Sequence, residues 1–142
     1  MEAQISLVAL YLLRGLVLPA VQTTEMLIKE FPDSGEVYLW RAVSLIKRKK
    51  FRNLELSTAK KAVELIEVGK DIAEDPDDYL FVAYILQKKF FHRKCIKEPR
   101  ALSEMLESIP QNIDTEEFIK EWSHKKEERG DLIERKILLG DS

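Results

Sequence analysis

The sequence predicts an all-α chain built from antiparallel helix pairs, and three observations carry that expectation. Glycine and proline are scarce, with five of each in 142 residues, and they separate segments from one another. Within the segments, apolar residues recur every three or four positions, the period of an amphipathic helix. No stretch sustains the apolar–polar alternation with flanking turn residues that paired strands need, so β content is expected near zero.

The elements follow in order. A first helix is expected over about 4–18, with Pro19 opening a second, because a missing N–H costs nothing in a first helical turn. The second carries Val21, Met26 and Leu27 and ends near Phe31. Phe31-Pro32-Asp33-Ser34-Gly35 reads as a stop and restart, with Asp33 and Glu36 spaced as a capping box for a third helix. That helix holds Tyr38, Leu39, Ala42, Val43, Leu45 and Ile46 and ends in Lys47-Arg48-Lys49-Lys50, charges suited to a helix C-terminus. A turn over 53–57 precedes a long fourth helix with Ala59, Ala62, Val63, Ile66 and Ile72 on one stripe. Glu74-Asp75-Pro76-Asp77-Asp78 closes it and opens a fifth, over about 78–92. Pro99 starts a sixth through Leu102, Met105 and Leu106, halted before Pro110. Asp114 and Glu117 form a second capping-box pattern ahead of a helix bearing Phe118 and Trp122. Gly130-Asp131 breaks that helix and leaves Leu132, Ile133, Ile137 and Leu138 on a short terminal one.

Length suits one domain over 1–142, large enough to fold without staples. Hydrophobic residues at 45% supply a core and charged residues at 34% a dense polar exterior, which argues against disorder. A formal net charge of -2 excludes the global basicity of a generic nucleic-acid binder while leaving local patches open. Cys95 is the single cysteine, so an internal disulfide and a cysteine-based zinc site are both excluded, and a reducing compartment fits. The apolar run over 5–21 reads as a buried helix rather than a signal or membrane segment: Glu2 stands where a basic region would, Arg14 interrupts the run and Pro19 punctuates it. A cytoplasmic protein without membrane contact is the resulting expectation.

The odd-numbered helices share a skeleton. Tyr38-Leu39-Trp40-Arg41-Ala42-Val43-Ser44-Leu45 aligns with Tyr79-Leu80-Phe81-Val82-Ala83-Tyr84-Ile85-Leu86, and Tyr11-Leu12-Leu13-Arg14-Gly15-Leu16-Val17-Leu18 is a third copy. Each has Tyr, a small residue four positions on and Leu three further. A small residue at a helix crossing lets two backbones approach where a bulky one would hold them apart. This pattern resembles helix A of tetratricopeptide repeats, and Pro32, Pro76 and Pro110 stand where proline commonly follows helix B. The resemblance spans about 4–110. It implies a short right-handed superhelix of about three helix pairs, with 111–142 as C-terminal capping helices. The interval from Tyr38 to Tyr79 is 79 − 38 = 41 positions and that from Tyr11 to Tyr38 is 38 − 11 = 27, against the usual repeat of about 34. A non-repeating helical bundle is therefore the alternative architecture.

The resemblance also implies a concave groove for a peptide or partner protein, onto which Leu39, Val43, Ile46 and Lys47 project from one pair and Leu80, Tyr84, Gln87 and Lys88 from the next. Tyr84 and Gln87 stand out as polar positions on apolar helices, although Tyr84 packed in the core with its hydroxyl reaching outward is an equal reading. Trp40 and Trp122 read as packing anchors. If helices three and five lie side by side in one direction, their C-terminal ends merge two basic clusters. Arg48, Lys49, Lys50 and Arg52 surround Phe51; Lys89, Arg93, Lys94 and Lys97 lie beside Phe90, Phe91 and His92. Such an edge suits an acidic partner, a phosphorylated segment or RNA, with the aromatics available to stack on bases. The plainer reading is that these cations answer the helix dipoles and the phenylalanines are core.

No Gly-rich phosphate loop, HExxH, paired acid–base carboxylates or nucleophile signature occurs in the sequence. Cys95 lies among Arg93, Lys94 and Lys97, and His92 and His124 lack metal-binding spacing, so these three are the only nominees for an enzymatic reading. The expectation is a non-enzymatic protein-interaction or scaffolding module without cofactor or metal, with a polyanion-binding helical protein as the alternative. A short array with an uncovered apolar face also permits self-association.

Overall fold

The computed structural model describes residues 1–110 and 114–125. Among these residues the regular structure is entirely helical: α1 (Glu2–Leu13), α2 (Val17–Glu30), α3 (Gly35–Ile46), α4 (Leu56–Ile72), α5 (Asp77–Leu86), α6 (Arg100–Met105) and α7 (Thr115–Lys125). A 3-10 turn at Phe51–Asn53 precedes α4, and a π-helix at Gln87–His92 extends α5. The expected break at Gly130 and the terminal helix lie outside the described residues.

α1 stops five residues before its expected end. Gly15 takes φ +74°, the Leu16 N–H donates to the Tyr11 carbonyl at 2.8 Å, and the Gly15 N–H donates to that of Leu12 at 3.2 Å. This is a Schellman ending, in which glycine supplies the left-handed residue at no steric cost. The third copy of the Tyr-small-Leu pattern therefore fails: Gly15 is an exposed turn residue and not a helix crossing. Pro19 falls on the third residue of α2, still within the first turn where N–H groups lack intrahelical partners. The Asp33–Glu36 capping box does not form either, because Ser34 occupies the N-cap of α3 and makes no side-chain capping bond.

Consecutive helices pack on one another from α1 to α5, α1 also meets α3, and α4 also meets α6. Two contacts fix the sense of α3 and α5. At one end Gly35 of α3 abuts Gly69 of α4, beside the Tyr79 ring at the start of α5. At the other, the turn following α3 packs on the π-helix, and Lys94 Nζ donates to the Leu54 carbonyl at 3.2 Å. α3 and α5 thus run the same way with α4 returning between their ends.

One apolar cluster runs through the helices from Ile5 to Trp122. Phe81, Tyr84, Phe90 and Phe91 are wholly enclosed, each contributing roughly 1.5–3 kcal/mol of transfer free energy. The two small residues of the shared skeleton, Ala42 and Ala83, are also fully buried. The hydroxyls of buried Ser44 and Thr24 bond within their own helices: Ser44 Oγ donates to the Trp40 carbonyl at 2.8 Å, and Thr24 Oγ1 to that of Val21 at 3.0 Å. Between α2 and α3, Arg41 donates to the Val21 carbonyl at 3.0 Å. No helix among the described residues is long and apolar enough to cross a membrane.

Candidate interaction surface

The residues expected to line a groove are mostly interior. Leu39, Val43, Ile46, Tyr84 and Gln87 are buried; Leu80, Lys47 and Lys88 are half-buried. This corrects the groove expectation for the first five. α3 is enclosed by α1, α2 and α4, and α5 by α4, α6 and α7, so most apolar residues on both helices are core, with Tyr38 and Leu80 half-buried. α7 itself covers the α5 face. Phe118 lies on Tyr84 with ring centroids 4.0 Å apart, and Trp122 stacks on Phe81 at 3.8 Å and 12°. Lys88 Nζ stands 5.5 Å from the centroid of the Tyr84 ring.

The turn that follows α3 packs on the π-helix, so the two basic stretches approach one another beside Leu54 and Lys94. Arg48, Lys49, Lys50 and Arg52 are exposed on one side; Arg93 and Lys97 are exposed and Lys89 and Lys94 half-buried on the other. Lys47, Arg48, Lys49 and Lys50 also line a cavity of about 280 Å³ with Leu12, Gly15 and Val17, which brings the α1 ending to the same end of the molecule.

The eight cations divide by what they touch. Lys49 pairs with Glu55 at 3.0 Å, and that hydrogen bond and charge hold the Glu55 carboxyl below its ordinary value. Lys94 is structural: besides its bond to Leu54, its ammonium lies 4.6 Å from the Phe90 ring centroid, a cation–π contact. Arg48, Lys50, Arg52, Lys89, Arg93 and Lys97 have no ion-pair partner among the described residues. Burial, and then the charge of Arg93, pushes the Lys89 ammonium below its ordinary value.

The aromatics within this edge point inward. Phe51, Phe90 and Phe91 are all buried, the last two packed edge to face at 5.0 Å. The expectation that they could stack on bases is thereby corrected. Leu86, Gln87, Phe90 and Phe91 all turn inward, as i,i+4 pairs on one helix face do.

No protein-family model, curated protein or solved structure matches the chain. Its chemistry is read from its own residues.

Beside the edge lies a polar clasp that spacing alone did not reveal. Gln87 Nε2 donates to both carboxylate oxygens of Glu98, at 3.0 and 2.8 Å, and His92 Nε2 meets Glu98 Oε1 at 2.9 Å. Burial raises the Glu98 pKa, but hydrogen bonds from His92, Gln87 and Ser103 outweigh it and hold the carboxyl below its ordinary value. The clasp closes the loop that carries Arg93, Lys94 and Lys97. The signal for it was a glutamine inside an otherwise apolar helix, followed by a histidine five positions on.

His92 is thus engaged by a carboxylate, Cys95 is exposed, and His124 stands exposed on α7. Among the described residues no three His, Cys, Asp or Glu side chains are grouped to hold a metal ion.

Proposed function

We propose that this chain is a non-enzymatic helical-repeat module of tetratricopeptide type that binds an acidic segment of another protein at its cationic end. The observation that supports the reading is the packing of the turn after α3 on the π-helix, which brings the stretch carrying Arg48, Lys50 and Arg52 next to the one carrying Arg93 and Lys97. The repeat assignment draws support from α3 and α5 running in one sense with Ala42 and Ala83 buried at equivalent positions. Charge is also polarised along the molecule. Asp33, Glu36, Glu74, Asp75 and Asp77 gather at the opposite end, where α3 and α5 begin. A field of this shape steers an acidic partner to one end and away from the other.

Between a protein and a nucleic acid, the aromatics decide. Single-stranded nucleic acid is held by a cationic groove together with exposed rings on which bases stack. Here the rings are interior, which leaves charge alone on the surface. An acidic peptide requires no more than that.

The test is direct binding of a fluorescent Glu- and Asp-rich peptide and of a single-stranded RNA oligonucleotide of equal charge, each across a salt series. The peptide is expected to bind with steep salt dependence and to be released in the double variant Lys50→Glu, Arg93→Glu. Absence of peptide binding at low salt, or markedly tighter RNA binding, would overturn the reading.

A further inference from the structure

The cavity at the α1 ending has two unlike walls. Leu12, Gly15 and Val17 line one part of its roughly 280 Å³, and the basic run from Lys47 to Lys50 lines the rest. Leu12 lies in the last turn of α1 and Val17 opens α2, so the glycine-ended turn between these helices supplies the apolar wall. Gly15 leaves the space beside it empty, since a Cβ placed there would meet nothing within 4 Å.

The cations are more than the helix ends call for. α3 closes at this cavity with about half a negative charge and α2 opens there with about half a positive one, so the two dipoles largely cancel. Glu55 pairs with Lys49 at 3.0 Å. Arg48 and Lys50 form no ion pair among the described residues. An anion would answer this surplus, but an anion alone gains nothing from Leu12 and Val17.

We propose that the cavity is a subsite for one large aliphatic side chain, such as leucine, flanked by carboxylates in the acidic partner segment. The aliphatic group packs on Leu12 and Val17, and the carboxylates on either side of it meet Arg48 and Lys50. A purely acidic stretch would leave the apolar wall unused, and a purely apolar one would leave the cations unanswered. A lipid acyl chain needs a longer apolar channel than two side chains provide. The inference rests on the acidic-segment reading and adds to it the residue that the segment carries.

The test uses the full chain and two fluorescent peptides of equal charge, one with leucine and one with serine at the centre of a Glu- and Asp-rich run, titrated across a salt series. The leucine peptide is expected to bind roughly tenfold tighter or more. Salt should weaken both in parallel, because screening acts on charge and not on apolar burial. Val17→Ser should bring the two peptides to equal affinity, with helicity by circular dichroism unchanged, since valine and serine have similar helix propensities. Equal affinities on the parent chain, a comparison that needs no variant, overturn the subsite and leave the acidic-segment reading standing. Binding of neither peptide at low salt overturns both. A leucine advantage that survives Val17→Ser also overturns the subsite, as does decanoate that binds in a Val17-dependent way while leucine brings the peptide no gain.

Discussion

Gly35 and Gly69 meet backbone to backbone where α3 crosses α4. A Cβ built on Gly35 falls 2.6 Å from the Gly69 carbonyl oxygen, and one built on Gly69 falls 2.8 Å from the Gly35 carbonyl oxygen. Neither oxygen can move without shifting a helix. Tyr79 closes the third side, its hydroxyl oxygen 2.9 Å from the first of these positions and its ring 2.8 Å from the second. Gly35→Ala and Gly69→Ala are each expected to destabilise the fold by about 1–3 kcal/mol through overpacking, read as a lowered denaturation midpoint. Near-parent stability in both would show that the crossing relaxes freely.

Cys95 repeats at the end of the π-helix what Gly15 does at the end of α1. It takes φ +54°, and the Ile96 N–H donates to the Phe91 carbonyl at 2.9 Å as the Leu16 N–H does to that of Tyr11. Here a side chain occupies the left-handed position, which costs energy for any residue with a Cβ. Cys95→Gly is expected to raise stability by about 0.5–1 kcal/mol, while Cys95→Ala leaves it unchanged. Gly15→Ala should do the reverse and cost about 1 kcal/mol, although its Cβ would meet nothing within 4 Å. Thermal melts of the three variants check the set. A destabilised Cys95→Gly would mean that the thiol packs in a way its exposure does not suggest.

The helices were legible because their apolar period is long and regular, and Ala42 and Ala83 were legible as buried because small residues recur at one offset. Surfaces were not legible by the same rule. An apolar stripe shows that one face is buried, but α3 and α5 each pack against three other helices, so Leu39, Val43 and Ile46 became core where a groove was expected. The π-helix leaves no mark in composition, since Gln87–His92 reads equally well as α-helix. Gly69 did leave a signal: a glycine inside a long helix costs about 1 kcal/mol and calls for a packing reason. The merged basic edge was accessible only through the assumption that α3 and α5 run in one sense. What the sequence could not supply was which cations are already engaged, because Lys49 meets Glu55 across a local turn and Lys94 reaches Leu54 through tertiary contact.

Glu98 makes stability depend on pH in a defined direction. Its folded pKa lies below the ordinary 4.5, held there by His92, Gln87 and Ser103 against the opposing effect of burial. A depressed carboxylate stabilises the fold above its unfolded pKa, and that contribution is lost as pH falls through the folded value. Glu98→Gln is therefore expected to cost about 1–2 kcal/mol at neutral pH, with the gap closing as acid protonates the parent. Urea denaturation of both proteins at about pH 7 and about pH 3 measures it. Gln87→Glu should show the same sign more strongly, because it sets a second carboxylate against the first. A gap that persists unchanged in acid would remove the charge of Glu98 from the account.

Lys89 and Lys94 should part company when each is neutralised. Lys94 donates to the Leu54 carbonyl and lies over Phe90, so Lys94→Gln is expected to lose about 1–2 kcal/mol of stability. Lys89 is pushed below 10.5 by burial and then by Arg93, so its charged form is disfavoured on folding. Between the folded value and the unfolded one the unfolded chain binds more protons, stability rises with pH there, and at neutral pH the folded state carries the full penalty. Lys89→Gln is accordingly expected to be at least as stable as the parent, yet to bind the acidic peptide more weakly, because an anion would have relieved the repulsion it shares with Arg93. Denaturation midpoints and peptide titrations on the two variants separate these outcomes. Equal losses of stability in both would make the cationic end a structural feature and remove the electrostatic argument for a ligand there.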